Sequence, residues 1–469
     1  MEKTLPKNWV ETNVSEYLIN YDNQRKPISS KERESRKGDF PYFGATGKID
    51  NIDGFTHDGE FVLIGEDGAN LLTRVKPLAF LVEGKIWVNN HAHVLSYGNT
   101  IQNKLFTFYF NSLDISEFVS GSAQPKLNQK NLGLIPIKLP PLAEQHRIVA
   151  KLDELFGYLD TLKIRLNNIP QILKNFRQAV LTQAVTGKLT EEWRVGKELN
   201  TKKDYDQIQK LKSDLLKKGK LKKNKLEPIK NEELIYDLCP EFWHKCIFDD
   251  LFRFIDYRGK TPQKTPKGLR LITAKNIKMG FLSNEPIEFM SEEAYEDWMT
   301  RGFPIKSDIF FVTEGYTMGN VALNNRDDKF ALAQRTLTLQ SFSNLKTTFF
   351  YYLMMESRFQ LIVDNNATGT AAKGIKAAKF KNLPLIFPSL KEQTEIVKRV
   401  EHLFAKADAI EAQYQSLKVK IDSLPQAILA KAFKGELVEQ LDTDGDAKVL
   451  LEEIKKLKVE IGTKRKTKK

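Results

Sequence analysis

Cysteine is almost missing from this chain. Cys239 and Cys246 are the only two in 469 residues, so neither a disulfide framework nor a cysteine-based metal site is expected. Long apolar runs are missing too. No stretch approaches the ~20 apolar residues that span a bilayer, and the opening Met-Glu-Lys-Thr-Leu-Pro-Lys lacks the apolar core of a signal peptide. A soluble, cytoplasmic protein is expected. Nucleotide motifs do not appear: Gly44-Ala-Thr-Gly-Lys48 is too short for a Walker A loop, and no Gly-x-Gly-x-x-Gly occurs. Nor is there the Asn-Pro-Pro-Tyr-like element of an amino-methyltransferase. The carboxylates form no readable constellation, so no catalytic residues are assigned and the chain is not expected to be an enzyme. His91-Ala-His93 would put two imidazoles on one face of a strand. No carboxylate or cysteine cluster accompanies them, so no metal ligands are assigned. A base or phosphate contact and a structural role are the remaining readings.

What the chain does have is a repeat with a period of 248 residues. Pro140-Pro-Leu-Ala-Glu-Gln-His-Arg-Ile-Val149 returns as Pro388-Ser-Leu-Lys-Glu-Gln-Thr-Glu-Ile-Val397. Gln178-Ala-Val-Leu181 returns as Gln426-Ala-Ile-Leu429, and Gly187-Lys-Leu189 as Gly435-Glu-Leu437. Without a gap, 15 of 51 positions are identical between 139–189 and 387–437. A period this long means two copies of a whole module rather than a solenoid.

Each copy carries a 4-3 hydrophobic rhythm. In the first it runs through Ile148, Leu152, Leu155, Leu159, Leu162, Leu166, Ile169, Leu173, Phe176 and Val180. In the second it runs through Ile396, Val400, Leu403, Ala407, Ile410, Tyr414, Leu417, Ile421, Leu424 and Ile428. An average step of 3.5 over more than four heptads predicts coiled-coil helices with these residues as the core. Each seam spans ~48 Å at about 1.5 Å per residue. Pro170 is expected to kink or open the first helix; Gly187 and Gly435 read as helix stops. Each helix follows directly on a globular segment, so chain economy favours an antiparallel intramolecular pair. An ordinary dimerising coiled coil is the alternative. The rhythm resumes in Ile208, Leu211 and Leu215, and again in Leu450, Ile454, Leu457 and Ile461.

The net charge of +13 favours a polyanionic partner. It is concentrated, however, in 196–230, with 12 Lys against five acids, and in 448–469, with nine Lys/Arg against three Glu. A solvated linker and tail would look the same. At roughly 150 residues per domain, the length allows about three domains. The expected fold class is α/β, with two mixed α/β domains separated by a long antiparallel two-helix coiled coil and related by a pseudo-two-fold repeat. The boundaries are 1–139 for the first domain, 140–190 for the first helix and 191–236 for a basic linker with a short helix. The second domain is 237–387 and the second helix 388–440, with 441–469 as a short helix and basic tail. The strand-like runs Glu60-Phe-Val-Leu-Ile-Gly65 and Asp308-Ile-Phe-Phe-Val-Thr313 and the matching helical stretches 105–111 and 349–355 support the mixed class. The domains share only weak likeness, as in Leu5-Pro-Lys-Asn-Trp9 against Cys239-Pro-Glu-Phe-Trp243. Similar helices beside dissimilar domains suit a shared task for the helices and different targets for the domains.

The doubled Pro-x-Leu-x-Glu-Gln-x-x-Ile-Val, each opening a heptad helix that closes in Gln-Ala-[Val/Ile]-Leu and Gly-x-Leu, resembles the conserved regions of specificity subunits of type I restriction–modification systems. Tyr42-Phe-Gly-Ala-Thr-Gly47, Tyr257-Arg-Gly-Lys-Thr-Pro262, Gly121-Ser-Ala123 and Gly369-Thr-Ala371 resemble elements of their target-recognition domains. The resemblance covers nearly the whole chain. It implies a non-catalytic DNA-specificity subunit in a bacterial or archaeal cytoplasm, whose two domains each read one half of a gapped, asymmetric double-stranded DNA site. The helices would set the gap and recruit two methyltransferase subunits, which methylate adenine, and motor–nuclease subunits. S-adenosylmethionine, ATP and Mg2+ would belong to those partners, with no cofactor in this chain. Candidate DNA contacts in the first domain are Arg25, Lys26, Lys48, Arg74, Asn89, Asn90, His91, Gln124, Lys126 and Asn128. In the second they are Arg258, Lys260, Lys264, Lys275, Asn276, Gln334, Arg335, Lys373 and Lys376. These types reach base edges or phosphates. Tyr42 and Tyr257 are expected to pack in the core. An interaction scaffold without sequence reading, and a fused enzyme with a cryptic nuclease, are the competing readings.

Overall fold

The computed structural model describes residues 5–121, 123–237, 239–257, 262–333, 335–369 and 373–466, with the backbone alone for Leu457 and 460–466. The chain divides into two compact units. One is Met1–Asn167 with Gln415–Lys469, and the other is Asn168–Tyr414. The division falls inside both long helices, Leu142–Val185 and Leu390–Ala432, so each helix contributes one half to each unit. The fold is the expected mixed α/β class with heptad helices. Among the described residues no helix is long and apolar enough to cross a membrane.

In the first unit a six-stranded sheet runs in the order Ile19–Asn20, Ala92–Ser96, His57–Gly65, Ala79–Val88, Phe40–Gly44, Gly47–Ile52. Most pairs are antiparallel, while Phe40–Gly44 lies parallel to Ala79–Val88. The strand His57–Gly65 ends in a run buried on both faces, Phe61 to Gly65, as a central strand of a covered sheet should. Helix Thr100–Ser112 buries Leu105, Phe106, Tyr109 and Phe110, and Asn99 caps its first turn. A separate antiparallel pair, Val10–Asn13 with Pro136–Leu139, leads into the first long helix.

The second unit has the same frame around a different sheet arrangement. Its equivalent pair is His244–Ile247 with Pro384–Phe387, which leads into the second long helix. One four-stranded sheet runs Phe252–Asp256, Thr336–Ser341, Ile309–Val312, Val321–Leu323, and another runs Lys264–Thr265, Phe289–Met290, Leu269–Ile272, Phe330–Leu332. Phenylalanine fills the core: the Phe380 ring lies 4.5 Å from that of Phe311 and 4.9 Å from that of Phe248. Such pairs add about 0.5–1.5 kcal/mol each beyond their area burial.

The repeated motifs are explained by joints inside each unit. Glu144 accepts the indole N–H of Trp9 at 2.8 Å, and Glu392 accepts that of Trp243 at 2.9 Å. Gln145 donates to the Pro140 carbonyl and Gln393 to the Pro388 carbonyl. All four motif side chains are buried, and burial raises the Glu144 pKa against the opposing bonds from Trp9 and Gln440. The Gly-x-Leu glycines end the helices in the left-handed region, with φ of 71° at Gly187 and 73° at Gly435. A Cβ on Gly187 would lie 3.0 Å from Pro240, and one on Gly435 would lie 2.7 Å from Pro6. Glycine thus lets the proline of the Leu/Cys-Pro-x-x-Trp element close over the helix end.

The helices run antiparallel within each unit. In the second, Arg177 bonds Asp408 and Glu411, while Arg399 reaches the Leu189 carbonyl. In the first, Arg147 grips Asp444 through two bonds of 2.7 Å and holds its carboxyl below the usual carboxylate range. The heptad core divides unequally. Leu152, Leu159, Leu166, Leu173 and Val180 are buried, as are Val400, Ala407, Tyr414 and Ile421. The alternate positions Leu162, Phe176, Ile410, Leu417 and Leu424 remain 37% to 48% exposed, and Leu155, Ile169, Leu403 and Ile428 are intermediate. A two-helix pair covers one seam fully and leaves the neighbouring seam at its margin. The expected opening at Pro170 does not interrupt its helix, and Pro425 lies inside the other. Each proline removes one intrahelical N–H bond, and neither splits its helix.

Among the described residues, part of each charged segment is folded into a helix that buries apolar side chains. Helix Thr201–Lys217 buries Ile208 and fixes Lys212 on Asp249 at 2.8 Å, and Asp204 accepts the Leu390 N–H. Helix Ala447–Lys466 buries Leu450 and Ile454, and its Lys458 donates to the Ser15, Glu16 and Leu18 carbonyls. Leu457 and Ile461 lie outside the residues whose side chains are described.

Candidate nucleic-acid interface

Each unit carries the same backbone frame at one end of a central strand. In the first, Glu66 N–H donates to the His91 carbonyl, Leu127 N–H to the Glu66 carbonyl, and Gly68 N–H to the Pro125 carbonyl. In the second, Thr313 N–H donates to the Arg335 carbonyl, Ile375 N–H to the Thr313 carbonyl, and Gly315 N–H to the Lys373 carbonyl. Gly68 and Gly315 hold positive φ, 105° and 91°. A second loop closes on itself beside each: Ser120 and Lys126 exchange backbone bonds in one unit, Thr368 and Gly374 in the other. Of the Gly-[Ser/Thr]-Ala motifs, Gly121, Ala123 and Gly369 lie in these loops. Ser122, Thr370 and Ala371 lie outside the described residues.

The side chains on this frame are polar and largely cationic. In the first unit, His91 Nδ1 lies 2.7 Å from Asp67, and Lys126 lies 3.3 Å from Glu66. Asn90 and Gln124 are exposed nearby in sequence. In the second, Arg335 Nε lies 3.3 Å from Glu314. A cavity of about 350 Å³ between the loops has Glu314, Arg335 and Lys376 on its wall. A smaller one of about 130 Å³ shares Arg335 and adds Lys264 and Lys275. Lys373 sits on the second loop, 2.6 Å from Asp364.

Other candidates are committed to the fold. Arg25 is mostly buried, bonds Glu66 at 2.6 Å and donates to the Asn90 and Ala92 carbonyls. Asn89 is buried and accepts the His91 N–H. Asn276 is fully buried and ties the Thr273 turn to the Ser283 and Pro286 carbonyls. Asn128 caps the helix Gln129–Leu134. Arg74 lines a groove of about 550 Å³ with Lys163 and Phe156, away from the loop frame, and donates to the Asn111 carbonyl. Lys26 and Lys48 are exposed, the latter on the 40–52 hairpin. Arg258, Lys260 and Gln334 lie outside the described residues. Tyr42 and Tyr257 are buried, as expected.

Sequence reasoning passed over Glu66, Asp67 and Glu314, and the fully exposed Tyr316 beside Gly315. The available signal was an acid-and-glycine pair directly after an apolar strand, Gly65-Glu-Asp-Gly68 and Thr313-Glu-Gly315. His93, expected to serve either a contact or the structure, is buried between the Asp22 carboxylate at 2.6 Å and the Leu127 carbonyl at 2.7 Å, which pins the second loop to the sheet. Among the described residues no group of three or more His, Cys, Asp or Glu could hold a metal ion.

A family model described as the type I restriction modification DNA specificity domain matches residues 6–171 and 240–419. The EcoBI type I restriction enzyme specificity subunit of Escherichia coli is 31% identical over 356 residues, covering 73% of this chain and 69% of its own. The EcoDI specificity subunit of Escherichia coli is 27% identical over 484 residues, covering 99% and 98%. The crystal structure of the HsdS subunit from Thermoanaerobacter tengcongensis covers 93% of this chain and 99% of its own, at 15% identity and a TM-score of 0.54. A chain from a structural study of the assembly and conformational transition of the type I system gives 92%, 100%, 16% and 0.58 on the same measures. These two likenesses concern the fold.

Proposed function

The chain belongs to the type I restriction–modification DNA specificity family, and we propose on that premise that each of its two units reads one half of a gapped, asymmetric duplex DNA site. The observation that carries this reading is the doubled loop frame. The backbone bonds around Glu66 and Thr313 are the same, while the side chains they present differ, His91 and Lys126 in one unit and Arg335, Tyr316 and Lys376 in the other. One frame with two faces is what two different half-sites require. Exposed lysines supply salt-dependent phosphate contacts, and donors on the loops supply base-edge contacts.

In this proposal the chain performs no chemistry. Adenine methylation falls to two methyltransferase subunits that carry S-adenosylmethionine, and cleavage to motor–nuclease subunits that use ATP and Mg2+. The long helices set the unread gap and recruit those subunits. Their marginal heptad seam, with Leu162, Phe176, Ile410, Leu417 and Leu424 half exposed, supports the recruiting role. The test is a methylome. The chain is co-expressed with its methyltransferase subunit, and methylated adenines are mapped by single-molecule sequencing. A two-part gapped motif should appear only with the chain, and exchanging residues 237–387 for those of a relative should change one half. Methylation that ignores the chain while the subunits co-purify would favour an interaction scaffold.

A further inference from the structure

We infer that Arg335, oriented by Glu314, reads a guanine in the half-site of the second unit, and that His91, oriented by Asp67, holds the equivalent post in the first. This rests on the DNA-reading role proposed above and names the residues that discriminate.

The two posts match in backbone and differ in chemistry. The carbonyls of His91 and Arg335 accept equivalent bonds, from Glu66 and Thr313. Each side chain then meets the acid that directly precedes the loop glycine, Asp67 before Gly68 and Glu314 before Gly315. The Arg335–Glu314 pair is half exposed, and pairs of that kind add little to stability. Its geometry suits recognition instead. Glu314 engages Nε, which leaves the two terminal nitrogens of the guanidinium fork for O6 and N7 of a guanine. The neighbouring carboxylate repels a fully charged phosphate more than the partial charges of a base edge, so the pair favours base reading over phosphate clamping. Arg335 also holds φ at 71°, a strained setting for a side chain of its size, at the junction of the two cavities. Lys275 on the wall of the smaller cavity is placed for a flanking phosphate, while Lys264 pairs with Glu288 and Lys376 with Glu227. In the first unit, Nδ1 of His91 faces Asp67 and Nε2 is left for a base edge.

The experiment uses the full chain assembled with its methyltransferase subunits. The probes are a fluorescent duplex carrying the sequence methylated in cells, copies with 7-deazaguanine at each guanine of the second unit's half-site, copies with adenine there, and a scrambled duplex. The wild type should lose about tenfold or more in affinity at one 7-deazaguanine position, the scale of a good bidentate contact. R335A, which has no donor for N7, should bind all specific duplexes without that difference. E314Q should narrow the guanine-over-adenine preference at the same position without weakening binding to scrambled DNA and with the thermal midpoint unchanged, which a merely structural role for Glu314 would not do. The inference is overturned if that half-site contains no guanine, if R335A keeps the wild-type loss, or if E314Q keeps the full preference. A wild type that binds scrambled and specific duplexes equally would instead sink the DNA-reading role itself.

Discussion

At the scale of single residues, the polar side chains divide into those that hold the fold and those that remain outward. Asp308 illustrates the first kind. It accepts from the Ile305 N–H and the Gln340 amide, yet burial dominates and pushes its pKa from 3.8 to about 6. The folded state therefore binds this proton more tightly than the unfolded state. Its stabilising effect is complete below about pH 4 and is lost as pH rises towards 6, by about 3 kcal/mol for a shift of that size. D308N keeps an oxygen for both donors and has no proton to lose. Thermal midpoints measured across pH 4 to 7 should show the wild type falling relative to D308N within that window and running parallel to it above. Parallel curves throughout would contradict the assignment.

At the scale of elements, the heptad rhythm locates helices correctly but treats its two apolar positions as equals. The structure does not. Leu166 is buried within the first unit, and Leu417 of the same unit is nearly half exposed. L166A should therefore cost about 2–5 kcal/mol, the usual range for a core leucine, whereas L417A should cost less than ~1 kcal/mol, as surface changes do. Urea midpoints of the two variants would decide it, and equal losses would mean that both seams are closed in solution. L417A should instead weaken co-purification of the methyltransferase subunit if the marginal seam recruits it. The basic segments carry the same lesson. Their composition resembles a solvated linker, but the spacing of Ile208 and of Leu450 with Ile454 gives each a face to bury.

At the scale of the whole molecule, the two-unit construction would make specificity modular if each unit reads one half-site, as proposed above. If the helices set the gap, deleting one heptad from each at matched positions should shorten the unread spacer in the methylome or abolish assembly, with both half-site sequences kept. An unchanged spacer in an active complex would remove the helices from that role. The joints described above confine the damage of such a change. Glu144 with Trp9, Glu392 with Trp243, Gly435 under Pro6 and Gly187 under Pro240 all lie at the helix ends, outside the deleted turns.

The order of residues by itself determined that there are two modules, that two long helices follow them, and that no familiar catalytic motif is present. Those properties are local or periodic: a repeated word, a 3.5-residue step, a missing loop signature. Only the tertiary structure decided which of the polar candidates face outward. Asn276, Asn89 and Arg25 look in sequence like Lys275, Asn90 and Lys26, their neighbours or near-neighbours, and burial separates them because alternate positions of a strand or turn face opposite ways. It also decided that Asp67 meets His91 and that Glu314 meets Arg335. Each pair is assembled by strands that return to the same edge, and contact across a sheet leaves no trace in the spacing of the residues that make it.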